Sequence, residues 1–188
     1  LPVSVSVIAD ANPACLGITV YFTAIPVNGG TTPSYQWKVN GLNRGTNSST
    51  YSYTPFNSDV VTVVLTSDEV CALGNPATSA PVTVTVNPLP AAITGTTNVS
   101  VGSSTTLSDV DDGGLWTRAT MTVATIRPAG VVTGVSTGTS AITYTLPTGC
   151  PVTTTITVTS ILNVTALKTD VKWYGSATGA IDITATGG

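Results

Sequence analysis

Apolar and small polar residues alternate with a period of two along almost the whole chain. No window of about a dozen residues carries apolar residues at the i, i+3, i+4 and i+7 spacing of an amphipathic helix. Because successive side chains of a strand point to opposite faces of a sheet, this alternation predicts strands with one buried and one exposed face. The sequence therefore predicts an all-β fold.

The alternating segments are rich in β-branched and aromatic residues, and turn formers such as Asn28-Gly29-Gly30 separate them. The first half of the chain is predicted to form strands over Val3–Ala9, Ile18–Ile25, Tyr35–Asn40, Thr50–Thr54, Val60–Thr66 and Pro81–Val86. In the second half, strands are predicted over Ala91–Thr94, Ser104–Leu107, Leu115–Thr117, Met121–Ile126, Val131–Val135, Ser140–Thr145 and Val152–Thr159. Beyond Ser160 they are predicted over Val164–Lys168, Val171–Tyr174 and Ala180–Thr186.

A proline-rich segment marks a boundary in the middle of the chain. Asn87-Pro88-Leu89-Pro90 is stiff and poor in ladder donors, and the chain opens on a similar Leu1-Pro2. We therefore predict modules over residues 1–87 and 88–160, with 161–188 as the start of a third module that is too short to close a core. The predicted fold is a set of tandem immunoglobulin-like β-sandwich modules in an extended array.

The charge content limits the partners of such a chain. Charged residues make up 8% of the sequence, the formal net charge is -3, and the six basic residues are scattered. No patch can neutralise several phosphates, so neither a nucleic acid nor an anionic membrane surface is an expected partner. No apolar run reaches the roughly 18 residues that cross a bilayer. Leu1 follows no initiator Met or signal-type segment, which indicates an excerpt of a longer chain.

The sequence also gives little support for catalysis. Histidine is absent, which removes the usual general base and the commonest zinc ligand. The acidic residues that lie in or beside turns, or on outward strand positions, are predicted to be solvated. They are Asp10, Asp59, Asp68, Glu69, Asp170 and Asp182. We therefore expect no catalytic residues and no enzymatic activity.

One acidic run has two interpretations. Asp109, Asp111 and Asp112 precede Gly113-Gly114, and closely spaced carboxylates supply the hard oxygen ligands that calcium prefers. The alternative is an Asp/Gly turn between two strands. The run lacks the distal bidentate Glu of the EF-hand loop, so calcium is a weak candidate, and no other cofactor is expected.

The cysteines and one tryptophan suggest a core arrangement. Cys15 precedes one predicted strand and Cys71 follows another, so we predict a disulfide between them, while Cys150 is either a free buried thiol or half of a lost pair. Tyr35 and Trp37 lie on one face of a predicted strand and are interpreted as core aromatics; the alternative is a ligand platform. Three N-x-S/T sequons are either accidental or glycan acceptors; they begin at Asn47, Asn98 and Asn163.

Three stretches resemble known surface proteins. The segments PACLGITVYFTAIPVNGGTTPSYQWKVNG (13–41) and VVLTSDEVCALGNPATSAPVTVTVNP (63–88) are similar to the PKD-like, immunoglobulin-like repeats of very large Bacteroidetes surface proteins. The segment VATIRPAGVVTGVSTGTSAITYT (123–145) resembles bacterial Ig-like domains of group 2, and SATGAIDITATGG (176–188) resembles repeats of SprB-type gliding adhesins. Relatives tend to have Cys where this chain has Ser100, and another near Tyr174, which puts a second disulfide in doubt.

The resemblance implies a giant protein exported by type IX secretion and displayed as filaments outside the outer membrane for gliding motility or attachment. Expected partners are neighbouring modules and surface polysaccharide or a substratum. One alternative is a spacer or carbohydrate-binding module of a secreted polysaccharide-degrading enzyme. Another is a filament subunit that polymerises by strand addition.

Overall fold

The computed structural model describes residues 1–170, 174–175 and 179–186. Within these residues the secondary structure consists of strands, turns and bends, so the predicted all-β class is confirmed. Contacts between Cα atoms divide the chain into two compact units, Leu1–Leu89 and Pro90–Gly188. No helix among the described residues is long and apolar enough to cross a membrane.

The first unit is a sandwich of two antiparallel sheets. Its strands are β1 (Ser4–Ala9), β2 (Ala14–Cys15), β3 (Val20–Val27), β4 (Ser34–Val39), β5 (Leu42–Arg44), β6 (Thr50–Tyr53), β7 (Val60–Thr66), β8 (Ala77–Thr78), β9 (Val82–Thr83) and β10 (Val86–Asn87). Sheet A has the order β1-β3-β6, and sheet B has the order β5-β4-β7, with both β8 and β9 paired to β7. The short strands β2 and β10 pair in parallel.

Strand alternation builds the core of the first unit. In β3, Val20 and Phe22 are fully buried, whereas Tyr21 between them is 57% exposed. Strands β4 and β7 of sheet B supply the facing layer, with Trp37 and Leu65 fully buried. Two antiparallel sheets that face each other across alternate inward side chains form the immunoglobulin-like arrangement.

The second unit repeats the sandwich with other strands. They are β11 (Thr94–Gly95), β12 (Asn98–Ser100), β13 (Ser104–Ser108), β14 (Leu115–Arg118), β15 (Ala124–Ile126), β16 (Val131–Gly134), β17 (Gly138–Thr145) and β18 (Pro151–Thr159). Sheet C has the order β11-β13-β16-β15 and sheet D the order β12-β18-β17-β14. Leu107 and Val132 from sheet C and Ile142 and Ile156 from sheet D form the centre of its core.

Some predicted strands are shorter or divided in the structure. The predicted strand Pro81–Val86 is divided because its first part, Val82–Thr83, pairs with β7, whereas Val86–Asn87 pairs with β2. Strand β12 was not predicted. It has only three residues and pairs in parallel with β18, which is distant in the sequence. No tight turn therefore indicates which strand it pairs with.

Two further strands, β19 (Asn163–Thr169) and β20 (Ala180–Thr186), pair with each other in antiparallel register. All residues of both strands are exposed. Val171–Lys172–Trp173, which begin the predicted strand Val171–Tyr174, lie outside the described residues. The contact-based division places the β19–β20 pair in the second unit, and a separate third module remains a prediction.

Two glycines of the second unit allow a matched substitution. Gly130 has φ +76°, and a Cβ there would approach the Leu107 carbonyl oxygen to within 2.2 Å. Gly149 has φ +87°, with open space around its Cβ position. We expect Gly149→Ala to lower the free energy of unfolding by about 1–2 kcal/mol, the cost of left-handed backbone, and Gly130→Ala to lower it clearly more. Urea denaturation of both variants measures the difference, and equal losses would contradict the close approach.

Candidate functional site

A pocket of about 220 Å³ opens along one side of the first unit. Strand β5 is the edge of sheet B and β6 is the edge of sheet A, and the pocket lies between these two edges. We call it the edge pocket. It is lined by Val39, Asn40, Leu42, Arg44, Tyr51, Tyr53, Thr54, Phe56 and Asp59.

The Asp59 carboxylate is held at the base of the edge pocket. The side chain is only 8% exposed. Its Oδ1 accepts a hydrogen bond from Asn40 Nδ2 at 2.8 Å, and its Oδ2 accepts from the Tyr53 hydroxyl at 3.1 Å and the Phe56 backbone N–H at 3.0 Å. Asn40 is fixed in turn because its Oδ1 accepts from the Val60 backbone N–H.

This network shifts two pKa values in opposite directions. Burial of Asp59 raises the pKa of its carboxyl, but the hydrogen bonds from Asn40, the Phe56 N–H and Tyr53 outweigh burial and hold that pKa below its ordinary value. The pKa of Tyr53 is raised, first by burial and then by the neighbouring Asp59 charge. The pair is therefore an ionised carboxylate that accepts a hydrogen bond from a neutral phenol.

Stacked rings connect the edge pocket to the core. The Tyr53 and Tyr51 ring centroids are 5.4 Å apart, and those of Tyr51 and Trp37 are 5.8 Å apart. Trp37 is fully buried and its Nε1 donates to the Ser48 carbonyl at 2.9 Å. Tyr35 is half-buried against the same core. Trp37 thus lies in the core and not on a ligand platform, while its stacking partners reach the pocket.

The charges at the edge pocket are of both signs. Arg44 and Asp59 both line it. The ion pair recorded among the described residues joins Lys168 and Asp170, both largely exposed. Arg44 and Asp59 therefore share one pocket without forming a salt bridge.

The acidic run of the second unit forms a turn. Asp109 Oδ1 accepts from the Asp111 backbone N–H at 2.9 Å, and Asp111 Oδ2 accepts from the Ala91 N–H at 2.8 Å. The Tyr144 hydroxyl donates to the Asp111 carbonyl. Asp109, Asp111 and Asp112 border a second pocket of about 230 Å³ beside Trp116 and Tyr144.

Calcium binding by Asp109, Asp111 and Asp112 remains a prediction. Across residues 1–170, 174–175 and 179–186, no three His, Cys, Asp or Glu side chains are grouped so that they could hold a metal ion. Asp109 Oδ1 and Asp111 Oδ2 each accept from one backbone N–H, and Asp109 Oδ2 is buried without a hydrogen-bond partner among the described residues. The alternative interpretation, an Asp/Gly turn, describes the run.

The predicted disulfide between Cys15 and Cys71 is wrong. Cys15 and Cys150 are both disulfide-bonded, and Cys71 has an exposed free thiol. The end of β7 lies beside the end of β3, where the Ser67 hydroxyl donates to the Asn28 carbonyl at 2.7 Å. Cys15 precedes the start of β3, at the other end of the unit, and a strand of this length spans more than 20 Å.

This assignment predicts one reactive thiol. The native, unreduced chain should react with one equivalent of a thiol-specific chromogenic reagent, because the Cys71 side chain is exposed. Cys71→Ser should react with none, and Cys150→Ser is the control that should expose a further thiol. Peptide mapping without reduction should find Cys71 alkylated. Native reactivity retained in Cys71→Ser would contradict the assignment.

Asp59 and its pocket were missed by sequence reasoning, which predicted a solvated turn residue. Asp59 is instead buried. One available signal was its position directly before the apolar strand β7, six residues after Tyr53.

The predicted solvated state of Asp68 fits better, since its side chain is exposed. The Asp68 carboxylate accepts from the Thr31 and Thr32 hydroxyls and the Thr32 N–H. All three sequon asparagines, Asn47, Asn98 and Asn163, are exposed.

Comparison with known proteins finds likeness only among solved structures. No protein-family model matches the chain, and no curated protein matches it. The C-terminal 282-residue fragment of intimin, solved with the intimin-binding domain of its translocated receptor, is 16% identical with a TM-score of 0.41, over 86% of this chain and 65% of that one. Invasin, a bacterial integrin-binding protein, is 12% identical with a TM-score of 0.45, over 86% of this chain and 40% of that one.

A third similar structure comprises three N-terminal domains of the highly immunogenic outer capsid protein Hoc of bacteriophage RB49. It is 10% identical with a TM-score of 0.43, over 99% of this chain and 70% of that one. The chain spans less than two thirds of the intimin fragment and less than half of the invasin chain. The assignment of two β-sandwich units rests on the sheets and cores described above.

Proposed function

We propose that this chain is a structural and adhesive segment of a secreted, filamentous protein at the cell surface. The supporting observation is that two successive β-sandwich units use their buried residues for apolar cores. Their outer strand positions carry hydroxyls, as where Ser104 meets Thr133 at 2.7 Å and Thr143 meets Thr153 at 3.0 Å. Antiparallel ladders of this kind suit a load-bearing scaffold more than a reactive site.

The finer proposal follows the resemblance in the sequence. In it, the parent protein leaves the cell by type IX secretion, lies outside the outer membrane and serves gliding motility or surface attachment. Its partners are neighbouring modules of the same filament and a polysaccharide or other substratum. A non-catalytic module attached to a secreted polysaccharide-degrading enzyme is the competing proposal, and the domains that flank this segment in the parent gene distinguish the two.

Attachment of coated beads tests the adhesive role. Beads carrying the purified chain should attach to polysaccharide-coated surfaces more than beads carrying an unrelated β-sandwich of similar net charge. Because the chain has few charges, attachment should change little when the ionic strength is raised to about 1 M, where the Debye length is about 3 Å. Deletion of the parent repeats should reduce attachment or spreading of cells. Equal attachment of both bead types, together with unchanged cells, would contradict the proposal.

The β19–β20 pair favours a second candidate function, polymerisation by strand addition. The register places Val164, Ile183 and Ile181 on one face of the pair, and they are 55%, 65% and 70% exposed. A two-stranded sheet with an uncovered apolar face is marginal alone, and its open edges are templates for another strand. Self-association in sedimentation experiments that Ile183→Asp abolishes would support this role, and a monomer at high concentration would contradict it.

A further inference from the structure

We propose that the edge pocket binds one neutral saccharide ring, at the end or on a branch of a polysaccharide. This inference rests on the proposed adhesive function and gives it a ligand class. The pocket volume of about 220 Å³ is below the ~300–1,000 Å³ of sites for drug-sized ligands. It therefore has room for a single ring and not for a chain of rings.

The opposite charges of Arg44 and Asp59, which form no salt bridge with each other, disfavour charged ligands. A cation that approaches Asp59 also meets the Arg44 guanidinium, and an anion that approaches Arg44 also meets the Asp59 carboxylate, since both line the pocket. A neutral ligand that donates to one group and accepts from the other satisfies both. Adjacent hydroxyls of a sugar do this, because each hydroxyl is one donor and an acceptor.

Hydrogen-bonding capacity remains free at the base of the pocket. A carboxylate offers about four lone-pair positions, and Asp59 uses three, one on Oδ1 and two on Oδ2. Asn40 donates one bond to Asp59 through its Nδ2, which leaves the second N–H of that amide. One ligand hydroxyl can thus donate to Asp59 Oδ1 while its neighbour accepts from Asn40 or Arg44.

The walls of the pocket supply apolar surface. The rings of Tyr51 and Tyr53 are half-buried, and Leu42 and Phe56 at the rim are 61% and 76% exposed. A sugar ring presents C–H groups on its faces and hydroxyls around its edge, so it matches aromatic walls above a polar base. A phosphate or a small ammonium ion has no such face to pack.

The pocket is held in shape before a ligand arrives. The Asp59 network fixes the base, and the stack from Tyr53 through Tyr51 to the buried Trp37 fixes the wall. Little side-chain ordering is then needed on binding, which favours affinity. A single small site still binds weakly, and repeated copies on one filament raise the overall strength through effective concentration.

NMR titration of the chain tests the inference. The probes are methyl glycosides of neutral hexoses and N-acetylhexosamines, with choline, inorganic phosphate and an extended Ser/Thr-rich peptide as competing classes. At least one glycoside should shift the Asn40 side-chain amide and the Phe56 backbone amide saturably in the millimolar range. Arg44→Ala should raise its Kd by about tenfold or more, while Arg127→Ala, a control at an exposed arginine of the other unit, should not change it.

Three results would overturn the inference: no saturable shift with any glycoside, an unchanged Kd in Arg44→Ala, or preference for choline, phosphate or the peptide. Arg44 is exposed, so loss of fold does not confuse the outcome. Bead attachment separates the two proposals. If wild-type and Arg44→Ala beads both attach more than the unrelated β-sandwich, and to the same extent, while glycosides cause no shift, the pocket inference fails and the adhesive function stands. If glycosides shift the pocket but no bead attaches, the adhesive function fails.

Discussion

Phe22→Ala will lower the free energy of unfolding of the chain by about 3–5 kcal/mol, the usual cost of truncating a buried aromatic residue. The Phe22 side chain has no exposed surface. Its ring lies 6.5 Å from Trp37 and 5.8 Å from Tyr53, centroid to centroid, so its loss leaves a cavity between the two sheets. Urea denaturation followed by circular dichroism, with assigned amide signals of the first unit as a second probe, measures the effect.

The neighbouring residue supplies the matched control. Tyr21 precedes Phe22 in β3 but is 57% exposed, so Tyr21→Ala should change the free energy of unfolding by no more than about 0.5 kcal/mol. The contrast tests strand register directly, since a slip of one residue moves every side chain of a strand to the opposite face. Comparable losses in both variants would mean that this register is wrong.

Alternation was sufficient to predict the strands that form the centres of the two cores. In β7, Val61, Val63 and Leu65 are fully buried while the residues between them are partly exposed. The predicted bounds of the strand Val60–Thr66 are also those observed. Period-two patterns succeed here because burial on one face directly determines them.

The cysteine pairing and the edge pocket could not be predicted in this way. Both depend on which ends and edges of strands are neighbours in space, and alternation carries no information about that. Strand β5 has only three residues, all exposed, so its sequence resembles the turn that precedes it. Without β5 there is no second edge beside Tyr51 and Tyr53, and Asp59 looks like an ordinary turn residue. A disulfide predicted from strand order alone has the same weakness.

Asp59 connects the stability of the first unit to the shape of its pocket. Its carboxylate joins the turn after β4, through Asn40, to the end of β6 and the loop before β7, through Tyr53 and Phe56. The Asp59 backbone also takes part, because its carbonyl accepts from the Val84 N–H. The buried charge therefore joins three segments, and its removal leaves several donors without a partner.

Asp59→Asn should accordingly lower the free energy of unfolding at neutral pH by about 3 kcal/mol, since hydrogen bonds to a charged group contribute about 1.5–3 kcal/mol each. An amide accepts at one oxygen only, and its NH₂ group would face one of the donors that now bind the carboxylate. Urea denaturation at pH 7 measures this loss. The control is Asp10→Asn. Asp10 is exposed and accepts one hydrogen bond, from the Tyr21 N–H, so its replacement should cost much less.

The difference between wild type and Asp59→Asn should shrink in acid. The pKa of Asp59 is lowered in the folded chain, so the unfolded chain binds its proton more tightly. The stabilisation is fully present above the ordinary aspartate pKa of about 3.9 and is lost as pH falls from there through the folded pKa. Asp68, whose pKa is also lowered, is present in both proteins and cancels in the difference. We therefore expect the unfolding free energies of wild type and Asp59→Asn, measured by urea denaturation at about pH 7, 4 and 3, to approach each other as the pH falls. A difference that stays constant down to the lowest pH would mean that the carboxylate is not what holds this corner of the sandwich together.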